Sequence, residues 1–341
     1  MSYRRASSLQ YVVDRKKLAA KPRKAAFPYG KPRKIEAMLA EEGKREDIAK
    51  PEYHEQRKYD GTRTFIIKDG DRVVMRGRSW INDYAPLFPE IVAEVRKLPV
   101  HSVVLDTELT FFKSGTDKDV FITALARPET KKGYVAKAMV FDVLFAGDES
   151  LKNVPFKERM KVLEKIVPAK FNHIEAVETL TNGKEKFYED LTKKQQGEGV
   201  VLKERASPYR EGERTFEWLK VKHFKSDEAV VVGYTEGKGQ RESALGSLVL
   251  AQRDRKGNWR LVGKTSGFSN EEMLKFKGQI DKMKVAKSPV AGEQPEGVKA
   301  WCRPKMVVEV KYYERTPDGK FRFPGFIRER TDKRPEECTL S

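Results

Sequence analysis

The residues most specific for chemistry lie in Lys58-Tyr59-Asp60-Gly61-Thr62-Arg63. An Asp-Gly pair makes turns, and Lys and Arg abound in this chain, so a plain charged loop is the competing reading. Four specified positions in six should recur by chance only about once in 10^5 windows. The chemistry such a segment offers is nucleophilic attack by Lys58 on phosphorus. A protonated lysine has no lone pair to attack with. Partial burial and nearby cations, among them Arg63 and Arg78, would favour the neutral amine.

Other residue types in the chain complement a reactive lysine. Glu108 follows a hydrophobic run and is expected at a strand end, where a carboxylate can accept hydrogen bonds from hydroxyl groups. A solvated strand-end acid is the alternative. Phe141, in the apolar run Ala138 to Phe145, offers a stacking face or a plain core residue. Glu198 stands between Gly197 and Gly199, just before Val200 to Leu202. A carboxylate on an exposed strand start suits Mg²⁺, which keeps most of its waters and takes one or two acids; the alternative is a turn acid. Lys220 and Lys222 alternate with Leu219 and Val221, so a strand presents both ammonium groups on one face. Two adjacent cations call for an anion, and phosphate is the natural one. An amphipathic edge strand is the other reading. His54 and the other three histidines show no metal-ligand spacing.

These residues need elements to position them. The 341 residues suffice for about two domains. With 18 Phe, 12 Tyr and 4 Trp, the chain is too aromatic to be wholly disordered. No apolar run approaches the length of a membrane span. The two cysteines, Cys302 and Cys338, are too few for a disulfide scaffold or a cysteine-rich zinc site, and fit a reducing compartment. The net charge of +18 points to a polyanionic partner, most often nucleic acid. Residues 1–34 hold eleven basic side chains and one acid, Asp14, with three prolines, and read as a basic arm. A phosphate clamp is the favoured role, against a solvated tail or an organelle transit segment.

From Lys34 the pattern is globular. Phe65 to Lys68 and Val73 to Arg76 flank Asp69-Gly70-Asp71 as a β-hairpin. Pro89 to Leu98, Phe156 to Ile166 and Lys184 to Lys194 have helical spacing. His101 to Phe112, Ala138 to Phe145, Gly199 to Lys203 and Phe216 to Val221 read as strands. The mixture lacks a regular βαβ repeat, so the expected class is α+β. Beyond Ser226, the runs Ala229 to Tyr234, Ser247 to Gln252, Trp259 to Lys264 and Met306 to Tyr313 suggest a small β-barrel, with a helix over Glu272 to Met283 and an exposed loop at Ser288 to Gly297. The expected division is a basic arm at 1–34, a main domain at 35–225 and a barrel at 226–341.

In this order the motifs resemble those of ATP-dependent DNA ligases, within the covalent nucleotidyltransferase superfamily. Lys58 to Arg63 is similar to the adenylation motif, Asp106-Thr107-Glu108-Leu109 to the third motif and Phe141-Asp142 to the next. Glu198 to Lys203, then Arg214 with Trp218 to Lys222, then Phe323 to Lys333 complete the series. The resemblance implies an adenylation domain of antiparallel sheets with flanking helices, followed by an OB-fold barrel. It implies Lys58 as the nucleophile, and Gln56, Arg63, Arg78, Glu108, Phe141, Arg214, Lys220 and Lys222 around ATP, with Gly61 letting the backbone pass close to the nucleotide. Phe141 would stack on adenine, and Glu108 and Glu198 would hold Mg²⁺, for which Mn²⁺ could substitute. Arg330, Asp332 and Lys333 would orient pyrophosphate. Arg76 is an alternative to Arg78. Many relatives carry Glu where this chain has Gln56, next to Glu55; an amide can still read adenine. The implied protein is a monomer that seals nicked duplex DNA with ATP, in the cytoplasm or at the nucleoid, with no membrane partner. An RNA ligase or a GTP-dependent capping guanylyltransferase shares the lysine motif, and a non-catalytic nucleic-acid-binding protein is the reading from another class.

Overall fold

The computed structural model describes residues 34–117, 119–120, 132–147, 149–194, 196–237, 245–292, 294–316 and 318–340. Apart from Lys34, the basic arm lies outside them. The chain forms two units, the first ending at Lys222 and the second beginning at His223.

In the first unit, β1 (Leu39–Glu42) and β2 (Tyr53–Lys58) precede the Asp-Gly turn, which closes β3 (Thr62–Asp69) on β4 (Arg72–Gly77). Gly70 takes a φ of 57°, the left-handed conformation that a two-residue hairpin turn requires. Then come β5 (Ser102–Lys113), β6 (Asp119–Val120), β7 (Tyr134–Ala146), β8 (Glu149–Ser150), β9 (Ile174–Ala176), β10 (Thr179–Leu180), β11 (Gly199–Glu204) and β12 (Arg214–Lys222). One sheet runs β4-β3-β5-β7-β8, with β6 beside β5 and β9 beside β7; the other runs β1-β12-β11-β2-β10. All pairings are antiparallel except β1 with β12 and β7 with β9.

Side-chain alternation explains the layers. On β3, Ile66 faces one core, while Phe65 and Ile67 face another. The first core packs β3, β5 and β7 against the helices Pro89–Arg96 and Phe156–Ile166 through Ile91, Val95, Phe156, Met160 and Leu163. The second joins Phe65, Ile67, Val104 and Leu144 to Ile35, Met38, Tyr209 and Trp218, and so fastens one sheet to the other. A third covers the far side of β11 and β12 with Tyr188 and Leu191 of the helix Lys184–Lys194. Glu108 falls in the interior of β5, not at its end, because the apolar run continues through Leu109, Phe111 and Phe112.

The second unit contains β13 (Lys225–Glu236), β14 (Leu245–Arg253), β15 (Trp259–Thr265), β16 (Lys284–Val285), β17 (Val298–Tyr312) and β18 (Gly325–Glu329). Its sheet runs β15-β14-β13-β17-β16, with β18 also on β17. A bridge from Ser266 to Gly325 brings β18 back to the end of β15 and rolls the sheet into a barrel. The helix Asn270–Lys282 starts with a capping box between Ser269 and Glu272, and packs Met273, Phe276 and Ile280 into the barrel core. β17 begins at Val298, not Met306, and Val290 in the supposedly exposed loop is buried and bridged to Trp259. Among the described residues, no helix is long and apolar enough to cross a membrane.

Candidate active site

Lys58 is the last residue of β2, and strand register decides its neighbours. Gly199 of β11 pairs with Lys58 on one side and Lys222 of β12 on the other, so the two lysines share a row across three strands. Glu198 is adjacent in sequence to that row. Its backbone N–H donates to the Lys58 carbonyl at 2.8 Å. Its carboxylate contacts the Lys58 ammonium directly and lies 3.4 Å from the Lys222 ammonium. Glycine is required beside it: a Cβ on Gly199 would sit 2.2 Å from the Val221 carbonyl oxygen, and Gly199 has a φ of 128°. Glu198 is thus a buried acid holding two cations, not the exposed strand-start acid expected from sequence.

The next row outward joins Gln56, Val201 and Lys220. Lys220 pairs with Glu42 at 2.9 Å. Lys220 and Lys222 thus each face a different carboxylate, Glu42 and Glu198 respectively. Gln56 is buried; its Nε2 donates to Thr179 Oγ1 at 2.9 Å and the Phe141 carbonyl at 3.4 Å. Its Oε1 has no hydrogen-bond partner among the described residues. Neighbouring Glu55 is fully buried, and burial pushes its carboxyl up to about 8. It stays protonated at neutral pH and cannot supply the charge that Gln56 lacks.

Arg63 on β3 pairs in register with Glu108 on β5. Its guanidinium is committed elsewhere: Nε and Nη2 donate to the two oxygens of Asp106 at 2.9 and 2.6 Å, and Nη1 donates to the Met38 carbonyl at 2.6 Å. Tyr209 also donates to Asp106 at 2.8 Å. Burial disfavours the Arg63 charge, but Asp106, with Tyr209 and Glu108, more than offsets it and holds the group charged. Arg63 is therefore a cation of the cleft wall, held in place by Asp106 and the Met38 carbonyl. Glu108 differs: burial pushes its carboxyl up to about 7, Lys58 and Arg63 pull it down, and Asp106 and Glu198 push it up. Gly61 is needed for its close approach to β5, where a Cβ would meet the Leu109 carbonyl oxygen at 2.4 Å.

Phe141 lies on β7 above an aromatic and cationic floor. Its ring meets Trp218 edge-on at 6.3 Å, and the Arg63 guanidinium stands 5.2 Å from it. The Lys203 ammonium is fully buried between Trp218 (4.0 Å), Phe141 (4.5 Å) and Phe156 (4.9 Å), and donates to the Phe141 carbonyl at 2.9 Å. Burial pulls the Lys203 amine down to about 7. Asp142, next to Phe141, forms a buried two-point pair with Arg159 at 2.7 and 2.9 Å, which ties β7 to the helix Phe156–Ile166.

These walls enclose a cleft of about 960 Å³ lined by Gln56, Lys58, Arg63, Arg78, Glu108, Phe141, Arg214 and Lys220, among others. Eight of its lining side chains are basic (Lys34, Arg57, Lys58, Arg63, Arg78, Lys203, Arg214 and Lys220), against the acids Glu36 and Glu108. Arg78 and Arg214 are exposed there, and neither has an ion pair among the described residues. Such a cleft suits a polyanion with one flat aromatic face. Glu198 and Lys222 join it through Lys58. Arg330, Asp332 and Lys333 belong to the second unit. There Arg330 is engaged by Asp332 at 2.8 Å and Glu228 at 2.6 Å, and the Arg330 bond holds the exposed Asp332 carboxyl well below its usual range.

Sequence reasoning gave no role to Lys203, Trp218, Thr179 or Asp119. Trp218 and Lys203 lie inside the ligase-like motifs, so the sequence shows their position without their task. Asp119 accepts three hydrogen bonds from two chain segments, 57–60 and Gly197, and carries no local signature.

A lysine at a strand end, in a basic cleft between two antiparallel sheets, followed by a small barrel, is the architecture of nucleotidyltransferase-type ligases. The chain belongs to the ATP-dependent DNA ligase family: the ATP dependent DNA ligase domain matches residues 37–222, and the C terminal region of that family matches 241–333. It is 33% identical over 304 residues to a DNA ligase of Thermococcus fumicolans, covering 82% of this chain and 52% of that protein. It is 31% identical over 313 residues to the multifunctional non-homologous end joining protein LigD of Mycolicibacterium smegmatis, covering 90% of this chain and 40% of that protein. The chain thus spans about half or less of these relatives. A solved structure from work on Lig E DNA ligases shares the fold, with 24% identity, a TM-score of 0.55, and coverage of 86% of this chain and 99% of that one.

Proposed function

We propose that this chain joins nicked duplex DNA with ATP through a covalent adenylate on Lys58, acting as a monomer in the cytoplasm or at the nucleoid. The observation that carries this reading is the row Lys58, Gly199, Lys222, with Glu198 touching both ammonium groups, on the wall of a basic, aromatic-floored cleft.

In the first step the Lys58 amine attacks the α-phosphorus of ATP. A nitrogen–phosphorus bond forms, the bond to the β-phosphate oxygen breaks, and pyrophosphate leaves. Glu198 is the carboxylate in contact with Lys58 and is the natural acceptor of the proton it sheds. Adenine would lie on Phe141, with its amino group toward the free Gln56 Oε1. Glu108 would accept from the ribose. In the second step a 5′-phosphate oxygen at the nick attacks the same phosphorus and releases Lys58. In the third the 3′-hydroxyl attacks the activated 5′-phosphate and expels AMP. All three are displacements at phosphorus, so positioning and charge neutralisation supply the catalysis. Exposed Arg78 and Arg214 are the cleft cations best placed to take phosphate, since no carboxylate engages them.

The residues fit Mg²⁺ in one respect. Burial is the main cause that raises the Glu108 carboxyl, Lys58 and Arg63 oppose it, and the charges of Asp106 and Glu198 add to it; a bound cation would favour the ionised form. No cluster of three or more acidic, His or Cys ligands exists among the described residues. The arrangement fits an ion that takes one or two protein carboxylates and completes its shell with water and phosphate. Glu108 and Glu198 would hold it, and it would neutralise charge building on the phosphates.

The test is incubation with α-labelled ATP or GTP and Mg²⁺, followed by nicked DNA or nicked RNA. Label should appear on the protein with ATP and chase onto the DNA nick. Label from GTP alone, or transfer only to RNA, would favour the capping or RNA-joining relatives. No label on the protein would leave a binding protein.

A further inference from the structure

The Asp119 side chain is 1% exposed, and its carboxylate is fully engaged. Oδ1 accepts from Arg57 Nη2 at 2.5 Å and from the Gly197 backbone N–H at 2.8 Å. Oδ2 accepts from the Asp60 backbone N–H at 3.0 Å. Arg57 immediately precedes Lys58, Asp60 lies two residues after it, and Gly197 immediately precedes Glu198. The ladder between β2 and β11 ends at the pair Lys58 and Gly199. Past that point the sheet no longer fixes the two segments against each other, and the side chain of Asp119 spans them instead. Hydrogen bonds to an ionised acceptor are roughly twice as strong as neutral ones, and a dry site weakens them least.

We propose that Asp119 is a positioning residue for lysine adenylation: by clasping both flanks of Lys58 to the turn that carries Glu198, it aims the amine and the carboxylate at one another. The inference rests on the reading of Lys58 as the nucleophile. Asp119 touches neither the Gln56 and Phe141 end of the cleft nor the exposed arginines at its mouth. Its loss should therefore spare ATP binding and slow the transfer itself.

The test uses the full chain and two substitutions. Asp119→Asn keeps the shape and removes the charge; Asp119→Glu keeps the charge and displaces the oxygens from the two N–H groups. Single-turnover formation of the protein–AMP adduct at saturating ATP should fall about tenfold to a hundredfold in both, the scale of an ångström-sized misplacement. Half-saturation by ATP, and sealing of a nick already carrying AMP, should stay within about threefold of wild type. Wild-type adenylation rates in both variants would overturn the proposal. So would full rescue by Asp119→Glu, which would leave charge balance for Arg57 as the only role. Parallel loss of adenylation, sealing and thermal midpoint would also overturn it, reducing Asp119 to a stability residue. Absence of adduct in the wild type would instead refute the ligase reading, and the clasp with it.

Discussion

Replacing Lys203 by Met should change the pH dependence of folding stability in a way that no other side chain of the cleft can copy. The Lys203 ammonium is fully buried among three aromatic rings, and burial pulls it from 10.5 down to about 7. The unfolded chain therefore holds this proton up to about 10.5, while the folded chain releases it near 7. Below 7 both states are charged, and the fold bears the whole penalty of a buried cation. As pH rises from 7 to 10.5, only the unfolded state remains protonated, and stability is regained. The shift corresponds to a swing on the order of 5 kcal/mol across that window. Met fills similar volume without charge, but forfeits the bond to the Phe141 carbonyl, about 1 kcal/mol. Relative to wild type, the variant should be more stable at pH 6, by a few kcal/mol, and slightly less stable near pH 10. Urea unfolding, followed by fluorescence at several pH values between 6 and 10, measures this. A difference between the two proteins that does not change sign or slope over that range would refute the burial argument.

Three more outcomes follow from the same geometry. Glu108, held near 7, should make the adenylation rate climb as pH passes through about 7 and the carboxylate ionises; Glu108→Gln should lose that inflection and slow the reaction about a hundredfold, and a variant keeping the inflection would assign it to another group. Asp332→Ala should slow adduct formation more than sealing of a pre-adenylated nick; equal loss in both steps would remove the pyrophosphate-orienting role. Deleting residues 1–33 removes ten of the basic side chains and should flatten the salt dependence of DNA binding, with the deficit greatest at low salt. Superimposable salt series for the two forms would deny the arm any contact with phosphate.

Much of the fold was legible because local pattern and final structure agree. The helices at 156–166 and 184–194 matched their apolar spacing residue for residue, and the Asp-Gly turn produced the expected hairpin. The sequence pattern understates β17 because Lys299, Arg303, Pro304 and Lys305 interrupt its apolar run. The ladder itself skips there, from the pair Val231 and Met306 to the pair Gly233 and Trp301, which is where a strand tolerates proline. Within the site, residue types were legible but their partners were not. Arg63 lines the cleft, but its two-point brace on Asp106, 43 residues away in sequence, has no local signature. Glu198 looked exposed because its flanking glycines suggest an open turn, yet those glycines exist to let it tuck beside Lys58. Asp119 joins segments 59 to 78 residues distant, and no periodicity encodes such a contact.

The central claim is the phosphoramidate at Lys58. Intact-mass and peptide mapping of the protein after exposure to ATP and Mg²⁺ test it most directly. One adenylyl group should appear, localised to the peptide bearing Lys58, vanish in Lys58→Ala, and leave the protein when nicked DNA is added. Unmodified protein, or an adduct of normal yield in Lys58→Ala, would contradict it.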